Sequence, residues 1–179
     1  MHKTWGRLGM TEPGKKLYGR QAVFFLNGMV MLAAAMAAAV LLETLFLPVL
    51  QIIGSSMEPA LHEGDFVVAI RYTMPKRGDI VAFYSGDKIL VKRVIALPGE
   101  QINIDRDGKV SIDGELLEEP YLQGAAFGMC DIKLPCQVME GTIFVMGDNR
   151  GISVDSRSAS VGCVREGQLI GKVIFRFGG

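Results

Sequence analysis

AVFFLNGMVMLAAAMAAAVLL, residues 22–42, carries one polar side chain, Asn27, in 21 positions. At roughly 1.5 Å per residue, a helix of this length spans about 30 Å, the hydrocarbon thickness of a bilayer. Glu43 and Thr44 interrupt the run, and residues 45–50 are apolar again, with Pro48 opposing further helix. Upstream, Lys3, Arg7, Lys15, Lys16 and Arg20 stand against Glu12, a net charge of +4 over residues 1–21. Basic flanks stay in the cytoplasm, so the expected topology is single-pass in the cell membrane, with everything after Leu50 outside. A cleavable signal peptide is the competing reading, with small residues at 33–39 as cleavage sites. Its apolar core normally covers about 7–15 residues and gives way to a polar mature start, whereas this run is longer and more apolar chain follows. A buried core helix would need a second long helical pattern to pack against, and the sequence has none. Three segments are therefore expected: a cytoplasmic stretch over 1–21, an anchor and membrane-exit segment over 22–50, and an extracytoplasmic domain over 51–179.

The remaining composition excludes several classes of function. Among 179 residues, 19 Lys and Arg balance 19 Asp and Glu, so no overall basic field points to a nucleic-acid partner. Three Cys without a CxxC pair argue against a cysteine-based zinc site, and two His leave little for a Ser-His triad. On an oxidising face a disulfide is permitted, and Cys130–Cys136 is the favoured pairing on grounds of short separation. Three unpaired thiols are the alternative.

Residues 51–179 carry a net charge of −3 and read as strands. Segments 66–71, 79–84, 89–97 and 143–146 are short and rich in β-branched and aromatic residues. Residues 101–105 and 109–113 alternate around Arg106-Asp107-Gly108, a hairpin pattern, and 169–177 closes the chain with another alternating run. No long 3.6-residue period occurs in this region. The expectation is a mainly β protein: one N-terminal transmembrane helix, then a coiled, partly closed antiparallel β-sheet domain.

Two features suggest chemistry. Gly54-Ser55-Ser56-Met57-Glu58-Pro59 follows the membrane segment by a few residues, and on composition alone such a cluster is a turn. Lys92 sits within Ile89-Leu90-Val91-Lys92-Arg93-Val94-Ile95. A lysine there is commonly a solvated edge charge. Pointed inward it loses hydration, its pKa falls, and its neutral amine becomes a candidate general base. A Ser–Lys pair needs no histidine.

Four sequence boxes then occur in order: Ser55-Ser56-Met57-Glu58-Pro59-Ala60-Leu61; Arg77-Gly78-Asp79-Ile80-Val81; Lys92-Arg93-Val94-Ile95-Ala96-Leu97-Pro98-Gly99-Glu100; and Gly147-Asp148-Asn149-Arg150 with Ser153-Val154-Asp155-Ser156-Arg157. Together they resemble the signature boxes of type I signal peptidases, membrane-bound Ser–Lys proteases. The single anchor and short exported part are similar to the Gram-positive members. The resemblance implies removal of N-terminal signal peptides from exported preproteins after small residues at positions −1 and −3. It implies Ser56 as nucleophile, Lys92 as general base, Ser153 as the hydroxyl orienting the lysine amine, and Asp155 with Arg157 as a bracing ion pair joined by Arg93.

The backbone N–H of Ser56 is the first candidate for the oxyanion donor. Some relatives add a serine hydroxyl two places earlier, where this chain has Gly54, as Gram-positive members also do. Gly151-Ile152 replaces the frequent Asp-Asn, implying a local loop difference. Substrate is expected to pair as a strand near 50–53 and 89–91, with Ile52, Met57, Leu90 and Val91 lining shallow pockets or packing in the core. The implied partners are preprotein signal peptides, the lipid bilayer and the general secretion translocase; no cofactor and no metal are implied. Leu45, Phe46, Leu47 and Met57 are expected to hold the domain on lipid, with Ser56 near the outer bilayer surface. A non-catalytic tethered β-module, a dedicated pilin or surface-protein processing relative, and a self-cleaving repressor are the alternatives. The first would lack the nucleophile or the base, and the last needs a DNA-binding domain where the anchor stands.

Overall fold

The computed structural model describes residues 14–122 and 127–178, with side chains left aside at 14–20 and 42–44. The basic flank around Lys3 and Arg7 lies outside the described residues. Helix α1, Gly14–Phe46, is 33 residues long. Its alanine and leucine content favours helix, and the 21-residue stretch Gln21–Leu41 is exposed among the described residues. A helix apolar on every side needs protein or lipid around it. By length and composition this one is able to cross a membrane. Packing divides the chain after Leu42, and Val49 and Leu50 already belong to the β unit.

The described residues of that unit form eleven strands: β1 (Val49–Gln51), β2 (Phe66–Ile70), β3 (Ile80–Ser85), β4 (Lys88–Ala96), β5 (Gln101–Ile104), β6 (Val110–Ile112), β7 (Glu115–Leu116), β8 (Cys136–Gln137), β9 (Thr142–Met146), β10 (Val164–Arg165) and β11 (Leu169–Phe177). Seven pair in the order β1-β2-β11-β3-β4-β9-β10, and four in the order β7-β6-β5-β8. Neighbouring strands are antiparallel throughout these sheets. The protein is mainly β, and the large sheet stays open, with β1 and β10 as its edges. The hairpin expected around residues 106–108 is β5–β6; Asp105 Oδ1 closes it by accepting the amides of Asp107 (2.9 Å) and Lys109 (2.8 Å).

Burial explains why the alternation fades in the middle of the sheet. In β9, Ile143 and Val145 enter a cluster with Val81, Phe83, Val94 and Val164. Phe144 and Met146 face the other way, into Ile95, Ile102, Ile104, Val110, Ile112 and Val138. Both faces of this strand are covered, so it reads as a continuous apolar run. A third cluster joins Ile52, Met57, Leu61 and Val67.

Two expectations are corrected here. Met57 is only 1% exposed and packs in that third cluster, so it does not touch lipid; Leu45, Phe46 and Leu47 are exposed. Cys130, Cys136 and Cys163 are all free thiols, with no Cys130–Cys136 bridge. Cys136 and Cys163 instead pack against the same core cluster. Tertiary packing, not separation in sequence, selects a cysteine's neighbour.

Phe144→Ala should lower stability by about 3–5 kcal/mol, whereas exposed Phe175→Ala should stay within about 0.5 kcal/mol, as read by denaturant unfolding of the detergent-solubilised chain.

Candidate active site

Ser56 lies in the loop between β1 and β2, and its neighbour places it. Met57 plugs the cluster of Ile52, Leu61 and Val67, anchoring the loop to the core. Gly54 turns the chain at φ +83, a conformation that a residue with a Cβ rarely adopts. From outside the loop, the amide of Asn149 donates to the Ser56 carbonyl at 3.1 Å. These contacts hold the hydroxyl from both sides.

Lys92 is on β4, paired with Val81 of β3. Its side chain points inward and the residue is 3% exposed. Lys92 Nζ donates to Ser56 Oγ at 2.6 Å. Burial is the largest influence on the amine and lowers its pKa from 10.5 to about 8. Asp155 and Asp148 act in the opposite direction, and Arg157 acts with burial. When the amine is neutral, the same short contact lets the serine hydroxyl donate to nitrogen.

The acidic groups near this lysine are each held by an arginine. Asp155 and Arg157, both 1% exposed, form a bidentate pair with two contacts of 2.8 Å. Asp155 also accepts the Gly147 amide at 2.9 Å, and Arg157 donates to the carbonyls of Phe127 (2.7 Å) and Arg150 (2.9 Å). Arg93 takes a different partner from the one expected. It binds Asp148 through Nε at 2.8 Å and Nη2 at 2.5 Å, and donates to Gly78 O at 2.7 Å. Successive strand residues face opposite sides of a sheet, so Arg93 cannot share the side on which Lys92 meets Ser56.

Ser153 also departs from expectation. Its hydroxyl is buried and has no hydrogen-bond partner, so the implied bond to the Lys92 amine is absent from this arrangement. Its backbone N–H donates to Asn149 O at 3.1 Å. The hydroxyl lies against Gly147, where an added Cβ would collide with it and come within 2.5 Å of Ser56 O.

A cleft of about 550 Å³ opens onto the pair. One wall is Leu50, Gln51, Ile52 and Ile53; the other runs from Asp87 to Lys92, with Ser56 and Met57 between them. β9 pairs with β4 only from Arg93 onward, so residues 88–92 have hydrogen bonds to β3 on one side alone. Ile52 and Met57 are buried, while Leu90 and Val91 are half-buried. The four expected lining residues thus meet at this cleft, two of them as part of the core. A second groove of about 530 Å³, lined by residues 71–75 and parts of 166–172, holds none of the sequence-nominated site residues.

Comparison with known proteins identifies the family. The family model described as signal peptidase, peptidase S26, matches residues 25–178. The chain belongs to that family. It is 38% identical to a signal peptidase I of Bacillus licheniformis over 160 residues, covering 80% of this chain and 83% of that protein. It is 32% identical to a probable signal peptidase I-1 of Synechocystis sp., covering 86% and 83%. A crystal structure of a signal peptidase I from Enterococcus faecalis V583 aligns with 57% of this chain and 98% of its own, at 33% identity and a TM-score of 0.46.

Sequence reasoning gave no role to Asp148, Arg150, Glu119 or Tyr121, which contacts link to Arg93 and to the turn at 147–150. The first two stand in a quoted box. Glu119 and Tyr121 lie outside every box, and only the fold brings them near. Gly147→Ala should cost about 1–3 kcal/mol by overpacking, and should lower peptide cleavage by more than tenfold as Ser56 and Ser153 are pushed apart. Parallel melting and peptide-cleavage assays on the purified chain check both.

Proposed function

We propose that this signal peptidase cuts exported preproteins with a Ser56–Lys92 dyad, after small residues at −1 and −3. The observation carrying the reading is the 2.6 Å contact between a serine hydroxyl and a lysine amine that burial holds near pKa 8. A free lysine near 10.4 is almost wholly protonated at neutral pH, whereas one near 8 leaves about a tenth as base.

In the reaction, the Lys92 amine takes the Ser56 proton as Oγ attacks the scissile carbonyl. The Ser56 amide supports the oxyanion. The ammonium then protonates the departing amine, which leaves an acyl-enzyme. Lys92, neutral again, takes a proton from water as the water attacks the ester, and returns it to Ser56. Asp155 and Arg157 keep the local charge balanced, and Ser153 contributes its unpartnered hydroxyl as the orienting group for the amine once Ser56 is acylated. Arg93 acts through Asp148.

Substrate lies extended between β1 and the free side of β4, using main-chain hydrogen bonds that no neighbouring strand takes. Because Ile52 and Met57 already fill the floor of the cleft, only small side chains fit beneath the peptide. Residues 1–21 are assigned to the cytoplasm, 22–50 to the anchor and membrane exit, and 51–179 to the extracytoplasmic peptidase. Its substrates arrive from the general secretion translocase.

Ser56→Ala and Lys92→Ala should each abolish cleavage of a preprotein in detergent, and full cleavage by a folded Lys92→Ala chain would remove the dyad. Since the amine must be neutral, kcat/KM should fall as pH drops through about 8, approaching tenfold per unit below it. A pH-independent rate from 6 to 9 would contradict the assignment.

A further inference from the structure

A second polar cluster joins a segment outside all the signature boxes to two arginines within them. Glu119 accepts both Arg150 Nη1 (3.1 Å) and Arg150 Nη2, and also the Tyr121 hydroxyl at 2.7 Å. The side chains of Glu119 and Arg150 are 6% and 2% exposed, so this ion pair is sheltered from water. The Tyr121 ring sits under the Arg93 guanidinium, 4.1 Å from ring centroid to Cζ. Burial is the largest influence on the Tyr121 hydroxyl and raises its pKa, with Glu119 adding to the effect, so it remains a neutral donor.

Each arginine grips one part of the same turn. Arg93 holds Asp148, and Arg150 Nε donates to Gly147 O at 3.1 Å. Between them, the Asn149 amide holds Ser56 O. An unbroken chain of contacts therefore runs from residues 119–121, through two arginines and the 147–150 turn, to the nucleophile loop. We propose that Glu119 and Tyr121 are positioning residues for the Ser56–Lys92 pair, seating the two arginines that hold this turn against Ser56. The inference rests on the dyad reading above.

The cluster also governs charge near Lys92. The ionic groups facing that amine are Asp148, Asp155 and Arg157, all from the segment that follows β9, with Ser56 as its hydrogen-bond partner. Arg93 neutralises Asp148 only while it stays on the carboxylate. An aromatic face beneath a guanidinium is attractive, and burial on one side leaves Arg93 few other positions. Without the ring, Arg93 leaves Asp148 part of the time. The freed carboxylate favours the charged amine, so the acid limb of the pH profile moves upward.

The test uses the full chain in detergent and an internally quenched peptide carrying an Ala-x-Ala site. Tyr121→Leu should lower kcat about tenfold with KM within about twofold, and move the acid limb up by about half a pH unit. Tyr121→Phe, which keeps the ring, should restore both. Glu119→Gln, close in shape to the native residue, should lower kcat in the same way, and it decides the matter if Tyr121→Leu does not fold. Melting temperatures that fall while kcat and the acid limb stay at wild-type values in both Tyr121→Leu and Glu119→Gln would overturn the proposal. Lys92→Ala serves as the control: full cleavage there would defeat the dyad itself, whereas an inactive Lys92→Ala beside kinetically normal Tyr121→Leu and Glu119→Gln would defeat only the positioning role.

Discussion

A lysine amine has to be dry enough to give up its proton, yet it stands among carboxylates that favour keeping it. The rest of the β unit follows from that conflict. Burial lowers the pKa of Lys92 to about 8, while Asp155 and Asp148 oppose the shift. An unpaired buried carboxylate would win, because charges interact strongly where water is excluded. Each is therefore held by an arginine in bidentate geometry, Asp155 by Arg157 and Asp148 by Arg93. The acids remain available as hydrogen-bond acceptors for the backbone, while their charge is largely spent on a neighbour.

The open sheet supplies the geometry this requires. β4 changes character along its length: residues 88–92 are paired on one side only, and from Arg93 onward the strand lies between β3 and β9. Lys92 stands at that junction, where a free edge meets a covered interior. The free part faces a cleft, and the covered part holds the apolar residues Val94, Ile95 and Ala96, all fully buried. Met57 does the corresponding work for the serine, since the residue after Ser56 is a core residue and the loop cannot drift from the sheet.

Much of this was legible in the sequence, for identifiable reasons. The anchor shows in an apolar run with a single polar residue. The longer strands show in β-branched and aromatic segments, and β4 extends from 88 to 96 where 89–97 was expected. Ser56 and Lys92 could be named because their boxes are compact and ordered along the chain. Other features depend on contacts that no local pattern reports. The two-residue strands β7, β8 and β10 exist only through their partners. Met57 looks like a loop residue next to a membrane segment, and its burial is a tertiary fact. Arg93 was expected to join the Asp155–Arg157 brace; strand alternation sends it to Asp148 instead. Glu119 and Tyr121 are more than 25 residues from either of the arginines they meet, and nothing in their neighbourhood advertises the contact.

The central claim concerns one proton on one nitrogen, and it is open to direct observation. Lysine side chains carrying a 13C label at Cε report their own ionisation, and the Lys92 signal is identified by its loss in Lys92→Ala. Titrated in the full chain in detergent with Ser56→Ala to prevent self-cleavage, Lys92 should show a midpoint near 8, well below its surface counterparts. A midpoint at or above the ordinary lysine value of about 10.4 would mean that the amine is charged at working pH, and the account of Ser56 activation would fail.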